Sequence, residues 1–86
     1  MSWGERVQNI YRLLNEAGFK DVVDQMIEDY AIGGTPGEMF SIVCVWLAKM
    51  RNRNREVYKL VKEDADKILE EGIQIKYFTE RYYRSL

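Results

Sequence analysis

Few residues in this chain have the types and spacing needed for chemistry. There is no histidine, which removes the usual general base, the serine and cysteine triads and most zinc sites. The single cysteine, Cys44, lies between Val43 and Val45 with Leu47 close by and has no ligating neighbour. It reads as an inert core thiol, since free cysteine is among the most buried residue types. One cysteine allows no internal disulfide, and a lone thiol in an apolar run suits a reducing compartment. Carboxylates occur in pairs, Asp24 with Glu28 and Glu70 with Glu71. Acid–base work needs one of a pair held in a cleft with a displaced pKa, whereas these fall on polar helix faces. Gly33-Gly34-Thr35-Pro36-Gly37 has no lysine and follows no strand, so it is not a P-loop. Amides at the helix start that follows it are of a kind that binds anions. The expectation is a protein that is not an enzyme, with no cofactor and no metal.

Recognition remains, and three clusters are candidates for it. Asp21, Asp24 and Glu28 recur at i, i+3 and i+7, with Asp29 beside them. They form either a solvated face or an acidic stripe for a basic protein partner, and Asp21 and Asp24 also complement a helix N-terminal dipole. The C-terminal segment mixes Tyr77, Arg81, Tyr83 and Arg84, and Tyr and Arg are enriched in binding hot spots. They cannot all be buried on one helix face, so some are expected to remain available to a partner or to a second copy of the chain. The third cluster is Arg51, Arg53, Arg55 and Lys59, with Lys49 nearby. A nucleic-acid surface needs several such charges on one face. Here the helix that follows alternates in sign and the whole chain carries a net charge of −1, so nucleic acid is disfavoured. Charge is uneven along the chain. Residues 1–48 hold three basic and seven acidic side chains, and residues 49–86 hold ten basic and seven acidic.

The elements that must position these residues are helices. Eighty-six residues make one domain. The central stretch is Thr35 to Met50. Thr35 and Glu38 spell a capping box, in which the Thr35 hydroxyl accepts from the Glu38 amide and the Glu38 carboxylate reaches back to the Thr35 amide. Pro36 sits at the first helical position, where its missing N–H does no harm. Phe40, Val43, Cys44, Leu47 and Met50 form one apolar stripe, and Met39, Ile42, Val45 and Trp46 widen it nearly all round. A helix apolar on most sides is expected to be packed on most sides.

Around it, Ser2 and Glu5 start a first helix that Gly18 ends. A second helix covers roughly Lys20 to Ile32, with Ile27 in its buried stripe. Arg51 to Arg55 reads as a polar link, and Asn54 as the cap of a fourth helix over Arg55 to Glu71, with Leu60 on the inner face and Gly72 at the end. The tail, residues 73–86, is ambiguous. Ile73, Ile75 and Tyr77 alternate as in a strand, while Ile75, Phe78, Tyr82 and Leu86 recur at helical spacing. The preferred reading is a short extended segment and a last helix. No signal peptide or membrane span is visible, and the expected location is cytoplasmic.

With its glycine turn, Thr-x-x-Glu and apolar helix, the segment Gly33–Trp46 in an all-helical chain of this size resembles small bacterial immunity proteins. These neutralise nuclease toxins of the colicin or contact-dependent type. The resemblance implies a basic toxin domain as partner, with Asp21, Asp24, Glu28 and Asp29 contributing the acidic contact. The reading of the whole sequence is an all-α single-domain bundle of four to five helices around a central apolar helix at about 35–50. Its expected role is non-catalytic protein binding, in the manner of an immunity or inhibitor protein. The alternatives are a nucleic-acid-associated or phage-type regulatory protein using Arg51–Lys59, and a structural protein that homodimerises through the tail.

Overall fold

Helix starts in this chain are local signals: two of them, at Ser2 and Thr35, form as written, and a third, at Thr79, joins them. The computed structural model describes residues 1–86. Helix α1 (Trp3–Glu16) begins at Ser2, whose Oγ accepts from the Glu5 amide at 3.2 Å. It ends in a left-handed turn at Gly18, φ 88°, a conformation that an L side chain adopts at a cost. Helix α3 (Pro36–Arg53) begins at Thr35, whose Oγ1 accepts from the Glu38 amide at 3.2 Å. The Glu38 carboxylate reaches back one residue further than expected, to the Gly34 amide at 3.1 Å. Helix α5 (Glu80–Arg84) begins at Thr79, whose Oγ1 accepts from the Tyr82 amide at 3.1 Å.

Helix ends depart from the sequence reading. Helix α2 (Lys20–Tyr30) stops two residues early, and Ile32 lies beyond it, exposed. Val23 and Met26 take the core side, which leaves Ile27 on the flank in solvent. The expected Arg51–Arg55 link does not exist. α3 runs through Arg53, and Asn54 alone, at φ −141° and ψ 67°, separates it from helix α4 (Arg55–Gln74). Asn54 stands at the cap position without a side-chain capping bond. Gly72 is not an end signal either. α4 continues through it to Gln74, and the left-handed residue that closes the helix is Lys76, φ 65°. In the tail, the Ile73/Ile75/Tyr77 alternation marks no strand. Ile73 belongs to α4, Ile75 caps it, and Tyr77 lies in the turn before α5.

The five helices form an all-α bundle with no strands. α4 lies against α1 and α3, while α3 also touches α2 and α5, and α1 touches α2. Ile10, Leu14, Leu47, Val61, Ile68, Cys44 and Tyr83 are fully buried at the centre. One charge is buried with them. Asp64 on α4 accepts from Arg6 Nη1 of α1 at 2.9 Å and from Asn9 Nδ2. Paired in this way, the carboxylate ties α1 to α4, and losing its partner is far more damaging than the net value of the pair.

The expected packing of α3 on most sides requires a correction. Phe40, Val43, Cys44, Leu47, Ala48 and Met50 are buried on one side. Ile42, Val45 and Trp46 face the other way and are only half-buried. Three of the other four helices, α2, α4 and α5, pack on α3, and they leave a strip of apolar surface partly exposed along its outer side.

Candidate interaction surfaces

Of the four acidic residues singled out on α2, two are free and two are engaged. Asp21 and Glu28 are exposed and make no ion pair or side-chain hydrogen bond within the chain. Asp24 accepts from Lys20 Nζ at 2.9 Å, a hydrogen bond that raises the lysine's pKa. Both partners are solvated, so the pair contributes little stability. Asp29 is half-buried and bridges helices: Oδ2 accepts from the Trp46 indole N–H at 2.7 Å and Oδ1 from Gln25 at 3.0 Å. It is a structural bond between α2 and α3 as well as part of the acidic stripe. Ile27, 48% exposed, and Ile32, 77% exposed, rise beside the stripe. The sequence reading missed both, having assigned them to the buried stripe and to the helix end.

The tail residues divide in the same way. Tyr83 is not available to a partner, which corrects its place among the expected contact residues. It is fully buried, its hydroxyl donates to the Leu69 carbonyl at 3.0 Å, and its ring lies 5.4 Å from that of Phe78. Gly72 makes this possible. A Cβ at that position would lie 2.3 Å from Tyr83 Oη and 3.1 Å from Cys44 Sγ. Tyr77 is half-exposed and packs edge-on against Phe40 at 6.1 Å. Arg81 is exposed with no partner in the chain. Arg84 lies 3.4 Å from Glu80, and Tyr82 stacks on Phe78 at 5.4 Å with its outer face in solvent.

The basic cluster is interrupted by acids. Arg51 Nη2 donates to Glu80 Oε1 at 2.8 Å and its guanidinium sits 5.9 Å from the Tyr83 ring. Arg53 Nε donates to the Leu86 carbonyl at 2.9 Å. Arg55 and Lys59 border an open groove of about 860 Å³ between α4 and α5, but Asp66, Glu70 and Glu80 line it too. Asp66 accepts from Tyr58 Oη and Lys62 Nζ, each at 2.6 Å. Burial opposes the ionisation of Asp66, but these bonds outweigh it and hold its pKa below the ordinary aspartate value. The groove therefore carries mixed charge and lacks the one-signed surface that tracks a phosphate backbone.

The remaining chemistry is subdued. Burial pushes the Cys44 thiol up to about 11, so at neutral pH it is protonated and poorly nucleophilic. At the start of α3 the Glu38 carboxylate already holds the Gly34 amide, and its negative charge opposes a bound anion there. No helix is long and apolar enough to cross a membrane. Comparisons with protein-family models, with curated proteins and with solved structures found no match for this chain.

Proposed function

We propose that this chain is a non-catalytic protein-binding module that meets a basic partner with the outward face of α2, as an immunity or inhibitor protein does with a toxin domain. The observation that carries the reading is the joint exposure, on one helix and its exit, of two unpaired carboxylates, Asp21 and Glu28, and two isoleucines, Ile27 and Ile32. Exposed apolar anchors beside unneutralised charge are what a desolvated contact with a charged rim requires. Val23 and Met26 tie the opposite side of α2 to the core, so the face is presented on a fixed element.

The test is capture by the immobilised chain in an extract of its own cells, comparing wild type with the Asp21→Lys/Glu28→Lys variant. A basic protein held by the wild type should bind the variant roughly 30-fold more weakly, taking about 1 kcal/mol for each reversed charge. Its retention on the wild type should also fall as salt rises. Equal retention by both forms would overturn the assignment of this face.

A further inference from the structure

The outer side of α3 presents, in order, Glu38, Ile42, Val45, Trp46, Lys49 and Arg53. The steps between them are 4, 3, 1, 3 and 4 residues, the same read in either direction. All six lie within one helical stripe, opposite the buried Phe40, Val43 and Leu47. The centre of the stripe falls between Val45 and Trp46. About that centre the chemistry is complementary as well as the spacing: an acid at the N-terminal end, apolar residues in the middle, bases at the C-terminal end.

We infer that this stripe is the seam of a symmetric homodimer, in which α3 packs antiparallel against α3 of a second copy about a two-fold axis between Val45 and Trp46. A two-fold interface must be self-complementary, because each patch meets its own image. Turning the stripe over sets Val45 against Trp46 of the other copy. It sets Ile42 against the aliphatic stem of Lys49, and Glu38 against Arg53, with each pairing occurring twice. The side chains are free for this. Glu38, Lys49 and Arg53 are exposed. Only Glu38 Oε2 is held, by the Gly34 amide, and only Nε of Arg53, by the Leu86 carbonyl. Trp46 is already oriented by its bond to Asp29, so little further rotamer freedom is lost on association. The same contact covers the apolar side of α3 that the monomer leaves open, and helices apolar all round are buried all round. This inference goes beyond the α2 reading: Asp21 and Glu28 stay outside the stripe, while Ile32, which borders Ile42, Val45 and Trp46, is common to both surfaces.

Sedimentation equilibrium of the purified chain tests it. The expected mass is twice 10.2 kDa, falling to one chain in Val45→Lys with the helical circular dichroism unchanged. Arg53→Glu should weaken the dimer about tenfold, because two symmetry-related pairs are reversed. Adding Glu38→Arg to it should recover the affinity, which a purely local role for either residue does not predict. An Ile42→Cys/Lys49→Cys variant should oxidise to a covalent dimer, while neither single substitution should do so efficiently. A single-chain mass at the highest soluble concentration would overturn the inference. So would a dimer indifferent to Val45→Lys, or failure of the double-cysteine variant to cross-link.

Discussion

The outer side of α3 and the tail exchange the roles their compositions imply. α3 contains the most apolar stretch of the chain, yet Ile42, Val45 and Trp46 stay partly exposed. The tail is rich in Tyr and Arg, yet it places Tyr83 at zero exposure in the centre of the molecule. Composition states what burial would be worth. Whether burial happens depends on what lies opposite. Across from the outer side of α3 this chain offers only the edge of α2, where Asp29 accepts from the Trp46 indole. Across from Tyr83 there is a glycine, and the missing Cβ of Gly72 is the space its hydroxyl occupies. α5 is only five residues long and could not hold itself helical in isolation. It is held by Tyr83 in this socket, by Asn52 Nδ2 donating to the Tyr83 carbonyl at 2.8 Å, and by the Arg51–Glu80 pair.

Substitutions sharpen the contrast. The largest effect is expected at Gly72→Ala, where the new methyl group would lie against Tyr83 Oη and Cys44 Sγ. It should cost about 3 kcal/mol or more in urea unfolding and release α5. A loss below about 1 kcal/mol would show that the socket yields easily. Next, the two sides of α3 should separate. Leu47→Ala on the buried side should cost about 3 kcal/mol by cavity formation. Val45→Ala on the outer side should cost under about 1 kcal/mol in unfolding of the single chain. Similar values for both would place the outer side in the core after all.

A pH series examines the socket without mutation. The Cys44 thiol titrates near 9.0 when unfolded and near 11 when folded, and burial raises the Tyr83 phenol too. The folded state therefore keeps its protons longer than the unfolded state. The corresponding stability is complete below pH 9 and is lost as pH rises through 11, by on the order of 2 kcal/mol for the thiol. Cys44→Ala should flatten the first part of that loss in thermal melts. The smallest effect is expected for the hydroxyls. Tyr83→Phe removes the bond to the Leu69 carbonyl and should cost about 1 kcal/mol. Tyr82→Phe, whose hydroxyl makes no such bond within the chain, should be neutral within the error of the measurement.

Much of the architecture was legible along the chain because its signals are short-range. Ser2 and Thr35 each accept from an amide three residues on, a bond made within one helical turn; Thr79 makes the same bond, but on a helix too short to form without the packing of Tyr83. The helix ends were less legible. α4 stays helical through Gly72, which gives Tyr83 its socket, and the left-handed turn falls instead on Lys76. The acidic stripe of α2 was legible as a pattern. That Asp29 is committed to Trp46 of α3, while Asp21 and Glu28 are free, depends on which helices become neighbours.

By itself, then, the sequence determined the all-α class, the starts of α1 and α3, the apolar inner stripe of α3 and the absence of any histidine. These are properties of residue type and of contacts within one helical turn. Only the tertiary structure decided that Tyr83 is core, that Arg51 and Arg53 secure the tail, and that α3 keeps a partly exposed strip between its partner helices. Each of these depends on two segments distant in sequence meeting at one place, where steric room and charge partners are decided jointly by both.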